Sequence, residues 1–176
     1  SQIELRVLAH IADEPALIEA FRRGEDIHRT TAAAALGVDP GLVGAEQRRA
    51  AKTINFGLIY GMSAFGLAAA LGVSTREAEQ FIAAYFARFG RVQEYMRATL
   101  EMAEREGRVA TLAGRLRYLP DIHSKNWNLR ENARRMAINA RIQGTAADLL
   151  KKAMLAVDRR LRAEHPDARL LLSVHD

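Results

Sequence analysis

Helix punctuation constrains this chain more than any other feature of its sequence. Gly24, Gly37, Gly61 and Gly107 each follow a stretch in which apolar side chains recur at helical spacing, and Ser74 with Glu77 three residues on forms a capping box. These signals predict helices over Pro15–Arg23, Asp26–Leu36 and Ala45–Ile59, one from Ser74 to Phe89-Gly90, and one from there to Glu106. Asp39-Pro40-Gly41 is turn chemistry between two of them. Further on, Leu129–Ile138 and Thr145–Glu164 predict two more helices parted near Gly144, the second turning Leu149, Leu150, Ala153, Met154 and Val157 inward. Arg108–Leu112 and Leu116–Leu119 predict a hairpin around Ala113-Gly114. At the start, Ile3, Leu5 and Val7 alternate with Gln2, Glu4 and Arg6 and predict a strand; at the end ARLLLSVHD predicts another. The class is α+β, mostly helical, and a chain that opens in one strand and closes in another reads as a fragment of a larger fold.

Composition narrows the function without choosing it. A chain of 176 residues, 49% hydrophobic and 27% charged, is globular and can bury a core without crosslinks. With no cysteine, a disulfide framework, a thiolate nucleophile and a thiolate zinc site are all excluded. No apolar run is long enough to span a bilayer, so no membrane partner and a cytoplasmic location are expected. The net charge of +5 suits a polyanion, although an arginine- and alanine-rich genome produces the same balance.

Four local patterns could carry chemistry. Along RRAAKTINFGLIYG, residues 48–61, a helix sets Arg48, Lys52, Asn55, Phe56, Ile59 and Tyr60 on one slowly drifting stripe, cationic first and aromatic after. Guanidinium and ammonium groups suit phosphates, and rings suit a base and sugar. A solvated basic face with a buried aromatic end is the bland alternative, though the full Arg-x-x-x-Lys-x-x-x-Phe-x-x-x-Tyr-Gly run favours the grip. Asp176, at the tip of the last predicted strand, could hold Mg²⁺ with a second carboxylate, or could simply start a turn. Arg135, Asn139 and Gln143 follow at one-turn spacing, fit for groove edges or for capping a helix break at Gly144, a glycine that allows either such a break or a close backbone approach. Asp148, near Lys151 and Lys152, reads as a surface pair. Residues 67–82 resemble a helix-turn-helix, which leaves a non-enzymatic DNA-binding regulator as a rival. Of the scattered histidines, His10, His28 and His123 read as structural or exposed, and Trp127 as packing under a loop.

Taken together, these residues resemble the family A DNA polymerases, nearest to the bacterial repair enzymes, with a phage or plasmid replicase as a close variant. SQIELR at 1–6 resembles the first palm motif, Asp-Tyr-Ser-Gln-Ile-Glu-Leu-Arg, without its opening Asp-Tyr; residues 48–61 resemble the fingers motif; QGTAAD at 143–148 resembles the helix that follows; VHD at 174–176 resembles the second catalytic palm motif. Four motifs in family order span the whole chain.

That resemblance implies fingers helices flanked by palm strands, incomplete at both ends: palm over residues 1–25, fingers over 26–110, palm again over 111–176. It implies a monomeric, nucleoid-associated enzyme of DNA replication and repair, extending a primer-template with dNTPs and two Mg²⁺ ions. Asp176, a metal ligand, and Lys52 are its implied catalytic residues. Arg48, Lys52 and His28 are the implied triphosphate contacts; Phe56 lies against sugar and base, Tyr60 closes the pocket, and Glu4 pairs with Tyr60 to exclude a ribose 2′-hydroxyl. Gln2 joins this dNTP-binding set, and Arg135, Asn139, Gln143 and His175 the DNA-binding set. Phe56, by the same likeness, disfavours dideoxynucleotides. The first metal Asp is expected two residues ahead of Ser1, so the 176 residues alone are expected to be inactive. Arg141 stands where the family relatives carry proline, which is expected to loosen a helix start near Gln143.

Overall fold

The computed structural model describes residues 2–173, apart from the Leu36 side chain. Seven helices come first: α1 (Gln2–Ile11), α2 (Pro15–Arg22), α3 (Ile27–Leu36), α4 (Ala45–Ile59), α5 (Ala64–Leu71), α6 (Thr75–Arg88) and α7 (Gly90–Glu106). A short antiparallel ribbon follows, β1 (Arg108–Ala110) against β2 (Leu116–Tyr118), with Val109 opposite Arg117. The long helix α8 (Trp127–Glu164) comes last, and residues 165–173 leave it without regular structure.

Most of the predicted stops hold. Gly37, Gly72 and Gly107 end α3, α5 and α7 in the left-handed conformation that glycine adopts without a Cβ penalty. Ser74 and Glu77 close their capping box at the start of α6. Glu14, a carboxylate only 4% exposed, carries no local signal of its role. One of its oxygens caps α2 at Ala16 N (3.2 Å), and the other takes Arg91 N in the first turn of α7 (3.0 Å), so two helix starts share one buried acid.

The first predicted strand is instead helix α1. Leu5, Leu8, Ala9 and Ala12 recur at the spacing of one helical face and are all buried, whereas Ile3, which a strand would have put beside Leu5 and Val7, is exposed. The last predicted strand is absent among the described residues: residues 169–173 pair with nothing, and Leu171 and Leu172 are exposed. An isolated strand leaves its backbone donors and acceptors without neighbours, so alternation or apolarity alone cannot form one.

The expected break at Gly144 does not occur either. Gly144 lies inside α8, which runs unbroken for 38 residues. A Cβ at Gly144 would sit 2.6 Å from Thr111 Cγ2 and 3.2 Å from Arg115 Nη2, so the glycine is there for close approach to the hairpin. Arg141 is accordingly no loosened helix start: inside α8, its guanidinium lies 5.3 Å from the Tyr95 ring centroid and donates to Thr99 Oγ1 at 3.2 Å, bracing α8 against α7. Asp148 is also not a lysine-paired surface residue. It accepts from Thr111 Oγ1 (2.7 Å) and Arg115 Nε (2.9 Å), clamping the hairpin to α8. Beyond it Leu149, Leu150 and Val157, expected inward, are exposed, and so is Trp127 at the start of the helix.

The main core joins all of α1–α8, with Leu5, Leu8, Leu17, Ile27, Leu58, Leu67, Phe89 and Ile142 among its buried members. Smaller clusters lie under the hairpin (Val109, Leu119, Ile122, Ala137) and between α3 and α4 (Ala32, Ala33, Val43, Ala51).

Gly144→Ala tests the close approach. Alanine favours a helix interior by about 1 kcal/mol over glycine, but Thr111, fixed by hydrogen bonds to Asp148 and Arg115, cannot swing away. A net loss of about 1–3 kcal/mol is expected from overpacking, measured as a lower denaturant midpoint of the protein.

Candidate nucleotide and nucleic-acid site

The site is built on α4 and on what α4 packs against. Asp26 sets it up from the start of α3. Its Oδ1 accepts from His28 N (3.0 Å) and Arg29 N (3.4 Å), capping the helix, while Oδ2 takes Arg48 Nε of α4 at 2.6 Å. Burial alone would raise the Asp26 pKa; the Arg48 hydrogen bond and charge and the two backbone donors outweigh it and hold the carboxyl below its ordinary value. Small side chains at Ala32, Ala33 and Ala51 let the two helices close together.

That approach places His28 beside the stripe. His28 is buried, its ring centroid 5.9 Å from that of Phe56, and Phe56 is in turn 6.1 Å from Tyr60. Burial first, then the charges of Arg48 and Lys52, push the His28 pKa below its ordinary value against the opposing pull of Asp26. Lys52 is exposed and makes no ion pair among the described residues. At the aromatic end Tyr60 donates its hydroxyl to Glu4 Oε2 of α1 and also meets the Gln143 side chain of α8. Burial and the Glu4 carboxylate raise the Tyr60 pKa, so the phenol stays a donor.

The DNA-facing residues expected on α8 fall near this end. Gly61, at φ +71°, lies so close beneath Arg135 that a Cβ would come 2.9 Å from Arg135 Cγ. Arg135 and Gln143 are exposed, and Asn139 is half-buried with an Oδ1 that has no partner among the described residues. The structure thus brings His28, Arg48 and Phe56 together, and Tyr60 with Glu4 and Gln143. Gln2 is turned to its own helix instead, accepting from Arg6 Nη2 at 3.4 Å. His175 and Asp176 lie outside the described residues, where no group of three or more metal-binding side chains occurs. His10 and His123 are exposed, as expected.

Two members of the predicted stripe point inward. Ile59 joins the core, and Asn55, with no exposure, donates from Nδ2 to His28 Nδ1 (3.1 Å) and Thr31 Oγ1 (3.0 Å). Sequence reasoning missed Asp26 as a site residue. The Asp-x-His spacing of a helix cap was its available signal; that the second oxygen reaches another helix was not.

A helix that runs from cations to aromatics, with an acid from one neighbouring helix and an amide from another at its far end, presents groups suited to phosphates and to a ring. Residues 1–176 match the family described as DNA polymerase family A, and the chain belongs to it. It is 55% identical over all its length to the DNA polymerase I of Pseudomonas aeruginosa, covering 19% of that protein, and 54% identical to that of Geobacillus stearothermophilus, covering 20%. The chain therefore spans about one-fifth of these curated relatives. Among solved structures, it superposes with a TM-score of 0.94 and 46% identity on the POL domain of Pol1 from M. smegmatis, in complex with DNA primer-template and dNTP. The match covers 100% of this chain and 31% of that one.

His28 yields a pH prediction. Because its folded pKa lies below its unfolded value near 6.5, its contribution to stability is complete above that pH and is lost as pH falls through and below it. A ring titration by NMR should show a midpoint under 6.5 in the ligand-free protein, and His28→Gln should flatten the acid limb of stability against pH.

Proposed function

We propose that this chain is the fingers and central palm of a DNA-directed DNA polymerase that extends a primer-template with dNTPs, as a monomer, in replication and repair. The observation that carries the proposal is the series Arg48, Asp26, His28, Phe56, Tyr60, Glu4, which links three helices through successive contacts. The division into palm (1–25), fingers (26–110) and palm (111–176) belongs to the same reading.

In the reaction the primer 3′-oxygen bonds to the α-phosphorus of the dNTP as the bond to the bridging oxygen breaks, and pyrophosphate leaves with its electron pair. Arg48, Lys52 and His28 bind the triphosphate. Arg48 has donors left for this, because only Nε of its five is engaged by Asp26. Lys52 is the catalytic cation at the transferring phosphate. Phe56 lies against sugar and base, and Tyr60 closes the pocket. Glu4, held by the Tyr60 hydroxyl, occupies the room a 2′-hydroxyl needs, and Gln2 flanks it from the same helix. Arg135, Asn139, Gln143 and His175 hold the terminal pair from the minor groove, where acceptors are alike for every correct pair.

Divalent metal ions, Mg²⁺ in this reading, supply Lewis acidity in the family, and Asp176 is the ligand this chain offers. The second, the Asp of the motif that ends in SQIELR, is not among these residues, so we infer activity for a protein carrying both and none for these residues alone. The described residues contain no group of three or more side chains fit for such an ion.

Lys52→Ala should lower kcat/KM for dNTP by about 10- to 100-fold, the effect of losing one charge-assisted contact, with Kd for primer-template nearly unchanged; equal losses in both would remove its role. Glu4→Ala should raise ribonucleotide incorporation relative to dNTP by at least about tenfold, read in single-nucleotide extension. Unchanged sugar discrimination would sink the exclusion role. Phe56→Tyr should improve chain-terminator use in the same assay.

A further inference from the structure

Asn55 stands one residue before Phe56 yet faces the interior, where a lone amide must find partners on α3. The Thr31 hydroxyl, buried, donates to Ile27 O at 2.8 Å and lies within reach of both ends of the Asn55 amide, 3.0 Å from Nδ2 and 3.1 Å from Oδ1. The amide nitrogen also reaches His28 Nδ1 at 3.1 Å, and an amide nitrogen only donates, so Nδ1 is the acceptor of that bond.

An Nδ1 that accepts has no hydrogen, so the neutral ring carries its proton on Nε2. Burial and the charges of Arg48 and Lys52 on α4 favour the neutral ring against the opposing pull of Asp26 at its own helix start, without choosing a nitrogen. We propose that Asn55 is a positioning residue that fixes His28 as the Nε2–H tautomer, so that the histidine donates a hydrogen bond to a phosphate oxygen of the incoming nucleotide without being protonated. This rests on the proposed triphosphate contact of His28. It goes further by assigning the donor atom and the residue that selects it.

The test uses the full-length polymerase labelled with ¹⁵N-histidine. Ligand-free wild-type protein should show the His28 signal of a proton on Nε2; a proton on Nδ1 would overturn the proposal. Asn55→Leu should mix the two tautomers and raise KM for dNTP about tenfold, the effect of one misplaced hydrogen bond to a charged group, with kcat nearly unchanged. In a His28→Ala background the same substitution should raise KM no further, whereas an equal rise in both backgrounds would mean that Asn55 only packs the helices and would overturn its role. Should Asn55→Leu fail to fold, Asn55→Asp replaces the amide nitrogen by an acceptor at nearly constant volume, and a proton on Nδ1 is expected; a pure Nε2–H signal would count against the role of Asn55. His28→Ala with unchanged KM would instead remove the phosphate contact itself. The tautomer signal keeps that failure distinct from a failure of Asn55.

Discussion

One carboxylate holds the candidate site in register. Asp26 accepts two backbone donors at the start of α3 with one oxygen and the Arg48 guanidinium of α4 with the other. The cap is worth about 1 kcal/mol, and a pair as exposed as this one, with side chains 42% and 32% accessible, adds at most about that again. Stability is therefore not its main consequence. Geometry is: the start of α3, which carries His28, and the cationic half of α4 are tied to the same two oxygen atoms. Neither can shift along the other without breaking a charge-assisted bond. The closeness this requires comes from alanines at the α3–α4 contact, where larger side chains would push the helices apart.

At the other end of α4 the constraint is steric. Gly61 brings the chain beneath Arg135 and Gly144 brings α8 against Thr111, so two missing Cβ atoms set where the long helix lies. Tyr60 then meets Glu4 of α1 and Gln143 of α8 at once, and three elements far apart in sequence share one hydroxyl. The hairpin reinforces the arrangement, because Asp148 clamps Thr111 and Arg115 to the same helix. Glu4 and Asp26 each face a donor, which leaves the cationic half of α4 to dominate its field.

How far the sequence could be read depends on the range of each signal. Helix starts and stops are local, and Asp26, Ser74, Gly37 and Gly107 act where their chemistry says they should. The stripe from Arg48 to Tyr60 was legible because its periodicity lies within one helix, and the ordered motifs identified the family. Errors arose where a neighbour decides. The alternation of Ile3, Leu5 and Val7 fits a strand until Leu8, Ala9 and Ala12 are counted with it, and the core takes the helical set. Gly144 carried the propensity of a break but serves a contact with a hairpin some thirty residues earlier. Asn55 looked like part of the outer stripe because helical drift leaves its face ambiguous, and only the crossing of α3 made it internal.

That last reversal separates the polar groups of the site into two kinds. Asn55 and Thr31 are buried, and their hydrogen-bonding capacity is taken up within the α3–α4 contact. A half-satisfied network there would be worse than none, since low polarity makes every orphaned donor or acceptor costly. On the outer side the balance is opposite. Among the described residues Arg48 uses one donor and Lys52 none. The fold thus completes the polar groups that orient the site and leaves unfilled those that would face a ligand. An interior network of this kind fixes direction, while the unfilled outer donors supply attraction for a polyanion. Both follow from α4 presenting one face to α3 and the other to solvent.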